Sequence, residues 1–258
     1  MMRRALIAFA VAFVAIALGA PLVVVFASAL RDGVGAYARA LVEPDARAAL
    51  RLTLAVAAIA VPINAAFGLA AAWAVARFTF PGRRAVVALI ELPLAVPPVI
   101  AGMLIVLVYG AHGLLGGALG RIVFAPAGIV VVTAFVTTPF VARALAPALE
   151  ARGPAQELAA LTLGASAWQT FWRITLPSVR RPLAYGAILC AARAVGEFGA
   201  VSVVSGHIRG ETTTVPLHVE ILYNDFHTQA AFAVASLLAV IALVTVAIER
   251  ALAWRRAA

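Results

Sequence analysis

Arg193 and Glu197 stand four residues apart within the apolar run "ILCAARAVGEFGAVSVVS". On a helix that spacing puts both side chains on one face. A charge at mid-membrane costs about 2.5–3.5 kcal/mol on insertion scales, so such residues face protein or water and pair. Two chemistries fit them. One is a structural ion pair that fixes packing. The other is a station on an anion's route, where Glu197 tempers the pull of Arg193, because a conduit must release what it accepts. Gly196 and Gly199 flank the glutamate and permit close helix approach or local unwinding, and Ser202 follows on the same stretch. His207, His218 and His227 have no ligand-like spacing such as HxxxH; they read as solvated loop histidines, and no metal site is expected. Cys190 lies in an apolar run, reads as a small buried hydrophobe, and has no second cysteine to bridge. All twenty basic residues are arginine. Without lysine the chain can form neither a P-loop of the GxxxxGK[ST] type nor a Schiff base, so it is not itself a P-loop ATPase.

The elements that position these residues follow from composition. The 258 residues are 64% hydrophobic and 12% charged, against about 45–50% and roughly 25% in soluble domains. The expected fold class is an all-α polytopic membrane protein. A span takes about 20 mostly apolar residues, and six runs qualify: roughly Ala5–Leu30, Leu52–Ala76, Ala85–Gly110, Ala127–Ala146, Leu183–Ser205 and Ala230–Trp254. They read as one transmembrane domain over 1–258, with its longest polar loop at about 147–182. The first run follows Arg3 and Arg4 like a signal peptide, but exceeds the 7–15 apolar residues of a signal core and reads as a retained span.

Six spans put both termini on one side. That side holds Arg3, Arg4, Arg77, Arg83, Arg84, Arg143, Arg152, Arg173, Arg180, Arg181, Arg250, Arg255 and Arg256, while the other holds Arg31, Arg39, Arg47, Arg51, Arg121 and Arg209. The excess places both termini and the 147–182 loop in the cytoplasm. The net charge of +9 is thereby read as membrane topology rather than nucleic-acid binding.

Within that loop, "ELAALTLGASAWQTFWRITLP" (157–177) is too polar to span and too patterned for a casual connection. Glu157 to Leu163 are good helix formers, and Gly164 suits the left-handed residue that ends a helix. Ser166 with Gln169 makes a capping box for a second helix, which Pro177 is expected to stop. Trp168, Phe171 and Trp172 share one face of it, and aromatics beside Arg173 are residue types enriched at interface hot spots. The stretch reads as a knob that docks into a partner; an interfacial helix in the headgroup belt is the alternative.

Prolines mark the other irregular span. Pro93, Pro97 and Pro98 in "ELPLAVPPVIAG" predict a bent or broken third span, a feature tolerated where a helix is buried or lines a cavity. Thr137, Thr138 and Pro139, and Pro62 with Asn64, are weaker cues of the same kind. Spans three and five are expected to line the pathway, with Glu91 near the cytoplasmic end. Beyond Gly206, Val219, Leu222, Tyr223 and Phe226 predict an amphipathic helix at the outer surface, either floating in the interface or forming part of a docking surface for an external partner.

Gly164 followed after nine residues by Ile174-Thr175-Leu176-Pro177, with Ala159 and Ala160 ahead of it, resembles the "EAA–G–I-LP" signature of ABC importer membrane subunits. The resemblance implies the methionine-importer-like permease fold and a coupling helix that inserts into a groove on a separate ATPase subunit. Glu157, Ala159, Ala160, Gly164, Trp168, Phe171, Trp172, Ile174, Leu176 and Pro177 are the expected coupling residues. The chain departs from the signature at Leu158, where an acid is expected; Glu157 comes one residue early. "GEFGAVSVVSGHIRGETTTVPLHVEILYN" resembles the W-type membrane subunits of bacterial sulfate/thiosulfate importers. That implies a homologous T-type subunit as heterodimer partner, an ATPase dimer carrying ATP and magnesium, a periplasmic sulfate-binding protein and an inner-membrane location. No cofactor is expected on this chain itself. Arg193, Gly196, Glu197, Gly199, Ser202, Pro97 and Pro98 are the expected path or gate residues. Molybdate permeases share "GEFGA", so a homodimeric molybdate or tungstate permease is the first alternative. A proton-coupled secondary transporter using Glu197 or Glu91, and a membrane scaffold, are the others.

Overall fold

The structure is a computed structural model that describes residues 2–116 and 122–254; Arg121, Arg255 and Arg256 of the arginine count lie outside them. The described residues contain helices and no strand. Helix α1 covers Met2–Ala29, α2 Gly33–Val42 and α3 Pro44–Arg77; α4 covers Arg83–Ala95 and α5 Pro98–Tyr109. Helix α6 is Pro126–Arg152, α7 Ala155–Thr162, α8 Ala167–Val195, α9 Gly199–Ser205, α10 Val215–Asn224 and α11 Thr228–Trp254. Among the described residues four helices, α1, α3, α6 and α11, are singly long and apolar enough to cross a membrane; counting each of the bent pairs α4–α5 and α8–α9 as one span gives six.

Prolines place several helix starts. Pro44, Pro98 and Pro126 each sit in the first turn of their helices, where a missing N–H costs nothing. Pro97 and Pro98 in succession hold Val96 extended and break the third apolar run, so that α4 and α5 meet at 112°. The fifth run breaks at Gly196–Phe198, with α8 and α9 bent by 55°.

Helices α3, α6 and α8 form the inner frame. A Cβ on Gly68 would lie 2.7 Å from the Val141 Cβ, so α3 and α6 cross at backbone distance only because Gly68 has no side chain. Near this crossing Asn64 Nδ2 donates to the Ala134 carbonyl (3.0 Å) and to Thr137 Oγ1 (2.8 Å), while Thr138 Oγ1 donates to Asn64 Oδ1. Asn64 and Thr137 are buried. Asn64 and its threonine partners are therefore a packing hub inside the subunit.

Two ends of the bundle can be told apart. Gln229 Nε2 donates to the Ala29 carbonyl, so the end of α1 meets the start of α11, and the start of α1 and the end of α11 lie the other way. The start of α3 (Ala46, Ala49) packs on α10 and the start of α11 through Val215, Leu222, Ala231 and Val234. The end of α3 pairs with the 157–177 segment. That segment, the start of α1 and the end of α11 thus share one end, the knob end, and α2 and α10 lie at the opposite one. Between the first two apolar runs, the mixed polar and apolar residues of 33–42 form α2, held by Tyr37 against Ser236 (3.0 Å).

The outer helix differs from its expected face. Val215, Leu217, His218 and Leu222 are buried in α10, with Val219 partly so, while Tyr223 and Phe226 stand exposed. The apolar stripe read from 219–226 is correct at Leu222 and Val219 only, because α10 starts at Val215 and buries its first turns. His218 is likewise no solvated histidine: it is buried and neither ring nitrogen has a hydrogen-bond partner, whereas His207 and His227 are exposed.

Candidate functional site

The 157–177 segment folds as two short helical pieces around a glycine turn. In α7, Glu157 sits in the first turn, where a carboxylate suits the positive helix end. Gly164 takes φ +89°, and Ser166 Oγ and Gln169 Oε1 cap each other's backbone at 3.2 and 2.9 Å. Past Thr170 the helix does not end at Pro177. Residues Phe171–Thr175 form a π turn, in which the Leu176 N–H reaches the Phe171 carbonyl, and the chain continues into the fifth apolar run. The wide turn resets the helix so that Pro177 falls in the first turn of the restarted α-segment, where its ring and missing N–H are tolerated. The expectation that Pro177 stops the helix is corrected: the knob and the span it feeds form one body.

Side chains fasten the knob to the frame. Arg77 Nε donates to Glu157 Oε2 over 2.8 Å, and its Nη1 donates to the Leu149 carbonyl at the end of α6 (2.8 Å). Thr175 Oγ1, in the π turn, donates to Glu157 Oε1 (2.8 Å). The Arg77 and Glu157 side chains are only 9% and 15% exposed. Glu157 therefore ties α3, α7 and α8 together, while Leu158 points outward. Beside the clamp, Trp73 packs edge-on against Phe78 and Phe171, with centroids 5.5 and 5.7 Å apart. Phe171 is the inward member of the aromatic trio. Trp168 and Trp172, in contact at 5.4 Å, are 69% and 49% exposed. Leu158, Leu161 and Leu163 are exposed as well, so the segment carries several exposed apolar side chains on a braced support, which is the form of a docking site.

The second constellation is the break between α8 and α9. Arg193 Nη1 stands 2.5 Å from Glu197 Oε2, and Glu197 Oε1 accepts the Ala200 N–H (2.8 Å). The first contact lacks hydrogen-bond alignment, so Oε2 has charge compensation without a hydrogen bond. Glu197 is 1% exposed and Arg193 one-third exposed. The carboxylate thus does two things at the break: it caps the first turn of α9 and faces the guanidinium of α8. A Cβ on Gly199 would stand 3.1 Å from the Pro98 Cβ, and one on Gly102 2.7 Å from the Ala200 carbonyl oxygen. The two broken spans therefore meet at their breaks, with Gly196 in the unwound link and Ser202 Oγ bonded back to the Gly199 carbonyl.

The family described as binding-protein-dependent transport system inner membrane component matches residues 64–257. The chain belongs to that family. The permease is 46% identical over 254 residues to the sulfate transport system permease protein CysW of Synechocystis, covering 97% of this chain and 92% of that one. It is 37% identical over 206 residues to the CysT permease of Escherichia coli K12, covering 78% and 74%. Its fold matches a chain in the crystal structure of a bacterial alginate ABC transporter bound to a pentasaccharide-loaded periplasmic protein. There the TM-score is 0.81 with 19% identity, over 98% of this chain and 94% of that one.

Among the residues of the permease that sequence reading singled out, the structure brings together Glu157, the aromatic trio and the π turn containing Ile174. It brings Pro98, Gly199 and Glu197 to one junction. Glu91 stands apart, half-exposed at 3.6 Å from Arg143, on a cavity of about 260 Å³ between α3, α4 and α6. Arg77 and Thr175 join this clamp without any local signal that marks them: Arg77 reads only as a loop charge, and no local pattern links it to a residue 80 positions later.

Proposed function

We propose that this permease is the W-type membrane subunit of an ATP-driven importer of sulfate and thiosulfate. Its near full-length similarity to sulfate permeases supports the substrate. The coupling role is carried by one observation, the exposed Trp168–Trp172 surface on a support braced by Arg77 and Glu157. In this reading 157–177 seats in a groove of a separate ATPase subunit, which binds and hydrolyses ATP with its magnesium. The membrane domain spans 1–258, both termini and the knob lie in the cytoplasm, and a homologous T-type subunit completes the pathway. A periplasmic sulfate-binding protein delivers the anion at the opposite end.

Because α8 runs unbroken from the knob to Val195, a push on Trp168 and Trp172 moves the end of α8, where Arg193 sits. The α8–α9 and α4–α5 breaks then act as joints, and Arg193, Gly196, Glu197, Gly199, Ser202, Pro97 and Pro98 line or gate the route. Glu197 keeps Arg193 from trapping a dianion.

Purifying the chain from its native membrane and identifying its companions tests the assembly; recovery without an ATPase would sink it. Uptake of labelled sulfate against labelled molybdate tests the cargo. Uptake that collapses with an uncoupler while ATP is held constant would move the permease to the proton-driven class.

A further inference from the structure

Helix α10 closes in a Schellman turn: the Phe226 N–H donates to the Tyr223 carbonyl (3.1 Å) and the His227 N–H to the Leu222 carbonyl (2.9 Å). This turn needs a left-handed residue at its hinge, and Phe226 takes φ +63°. Helix α7 closes in the same turn with Gly164 at the hinge, through Gly164 to Leu161 and Ala165 to Ala160, each 3.0 Å. Glycine adopts that conformation freely, whereas the Cβ of any other residue crowds the following carbonyl, and a bulky aromatic there is a true outlier. The ring recovers nothing within the chain, since Phe226 is 90% exposed. Strained residues persist at ligand clamps and contact sites, where something outside the local backbone requires them.

Bilayer and protein are the two media that could receive the ring, and the surroundings favour protein. Asn224, Asp225 and His227 flank Phe226 and are exposed, and Asp225 pairs with Arg209 at 2.5 Å. Phe226 also borders a cavity of about 520 Å³ whose walls include Ser28, Arg31, Asp32 and Gln229. An aromatic anchor inside a rim of polar and charged side chains is the anatomy of a protein interface. The aromatics of a headgroup belt are instead Trp and Tyr, whose polar tips, which Phe lacks, face the water; the hydrocarbon-facing surface is apolar throughout. The exposed face of α1, with Leu6, Phe9, Phe13 and Ile16, has that last character.

The geometry points to Phe226 as a docking anchor, at the end opposite the knob, for the soluble solute-binding protein on which transport depends. The occupant rests on the reading under Proposed function; it is drawn from the family's binding-protein dependence and from the alginate transporter, a fold relative crystallised with a periplasmic protein bound. The ring enters an apolar socket on that protein, and the polar cavity beside it accepts the socket's rim.

Two experiments on the assembled importer test this. A photoreactive benzoylphenylalanine placed at 226 should crosslink to a solute-binding protein in intact cells. Crosslinks to lipid alone, or none, would overturn the anchor. The solute carried by the captured protein judges the cargo separately: a protein specific for another anion would leave the anchor standing and remove sulfate. Second, Phe226→Gly relieves the left-handed strain while deleting the ring. It should leave the thermal midpoint unchanged or higher and ATP hydrolysis without binding protein unaltered, yet weaken binding-protein affinity by about tenfold or more. Unchanged affinity, or a lowered midpoint that shows the ring to be structural, would reject the proposal.

Discussion

Arg77 Nε lies 2.8 Å from Glu157 Oε2 in a contact nearly closed to solvent. The pair joins the end of α3 to the first turn of α7, 80 residues apart in sequence. It answers the question raised by Leu158: the acid one position early turns inward and makes a firm polar contact, and the leucine faces out. Removing one partner of a buried pair costs about 3–5 kcal/mol because the other charge is left uncompensated. Arg77→Ala and Glu157→Ala should therefore loosen the knob, so that ATP hydrolysis in the assembled importer continues while uptake falls at least several-fold. The exchange Arg77→Glu with Glu157→Arg should restore part of the uptake. Equal loss in the single and exchanged variants, measured side by side in vesicles, would mean that the pair does not brace coupling.

Gly164 is the hinge of the knob. No atom lies within 4 Å of a Cβ built there, so a substitution meets the backbone conformation rather than a neighbour. Gly164→Ala should cost about 1–2 kcal/mol at the turn, and Gly164→Asp or Trp172→Ala should leave the subunit inserted but uncouple hydrolysis from uptake. Normal uptake in both variants would remove the docking role.

At the α8–α9 break, Glu197→Gln keeps an acceptor for the Ala200 N–H but leaves Arg193 without its counter-charge. Sulfate should then be held longer, which lowers the maximal uptake rate without raising the half-saturating concentration. Glu197→Ala removes the cap as well and should also reduce the amount of folded subunit. If Glu197→Gln transports at the wild-type rate, the ion pair serves packing alone.

His218 has its pKa lowered from the usual 6.5 by burial, which outweighs the opposing pulls of Glu43 and Asp45, with a smaller lowering from Arg209. The folded state then holds the neutral ring. As pH falls below about 6.5 the unfolded chain gains a proton that the folded one resists, so stability is lost down to the lowered folded pKa and is flat above neutrality. The thermal midpoint of the purified importer should drop between pH 7 and 5, and His218→Phe should flatten that dependence. An unaltered slope in the variant would place the acid sensitivity elsewhere.

Much of this molecule was legible in the chain. The double proline at 97–98 breaks its helix through covalent geometry, which acts whatever packs nearby. The capping box at Ser166–Gln169 and the glycine turn are satisfied within five residues, so type and spacing suffice. Pro177 misled because the π turn before it depends on Thr175 reaching Glu157 and Phe171 reaching Trp73, contacts that no local window contains. His218 misled for a similar reason: its helix is buried by α3 and α11.

The sequence by itself determined the apolar runs, the helix breaks, the absence of lysine and the asymmetric arginines, because each follows from hydrophobic length, backbone chemistry or the membrane as solvent. Only the tertiary structure decided that Glu157 rather than residue 158 meets Arg77, that Gly199 lets the two broken spans touch, and that Asn64 is a buried hub. Those outcomes turn on which face of one helix meets which face of another. Helical periodicity constrains that choice to a few faces, and close packing between distant segments selects one.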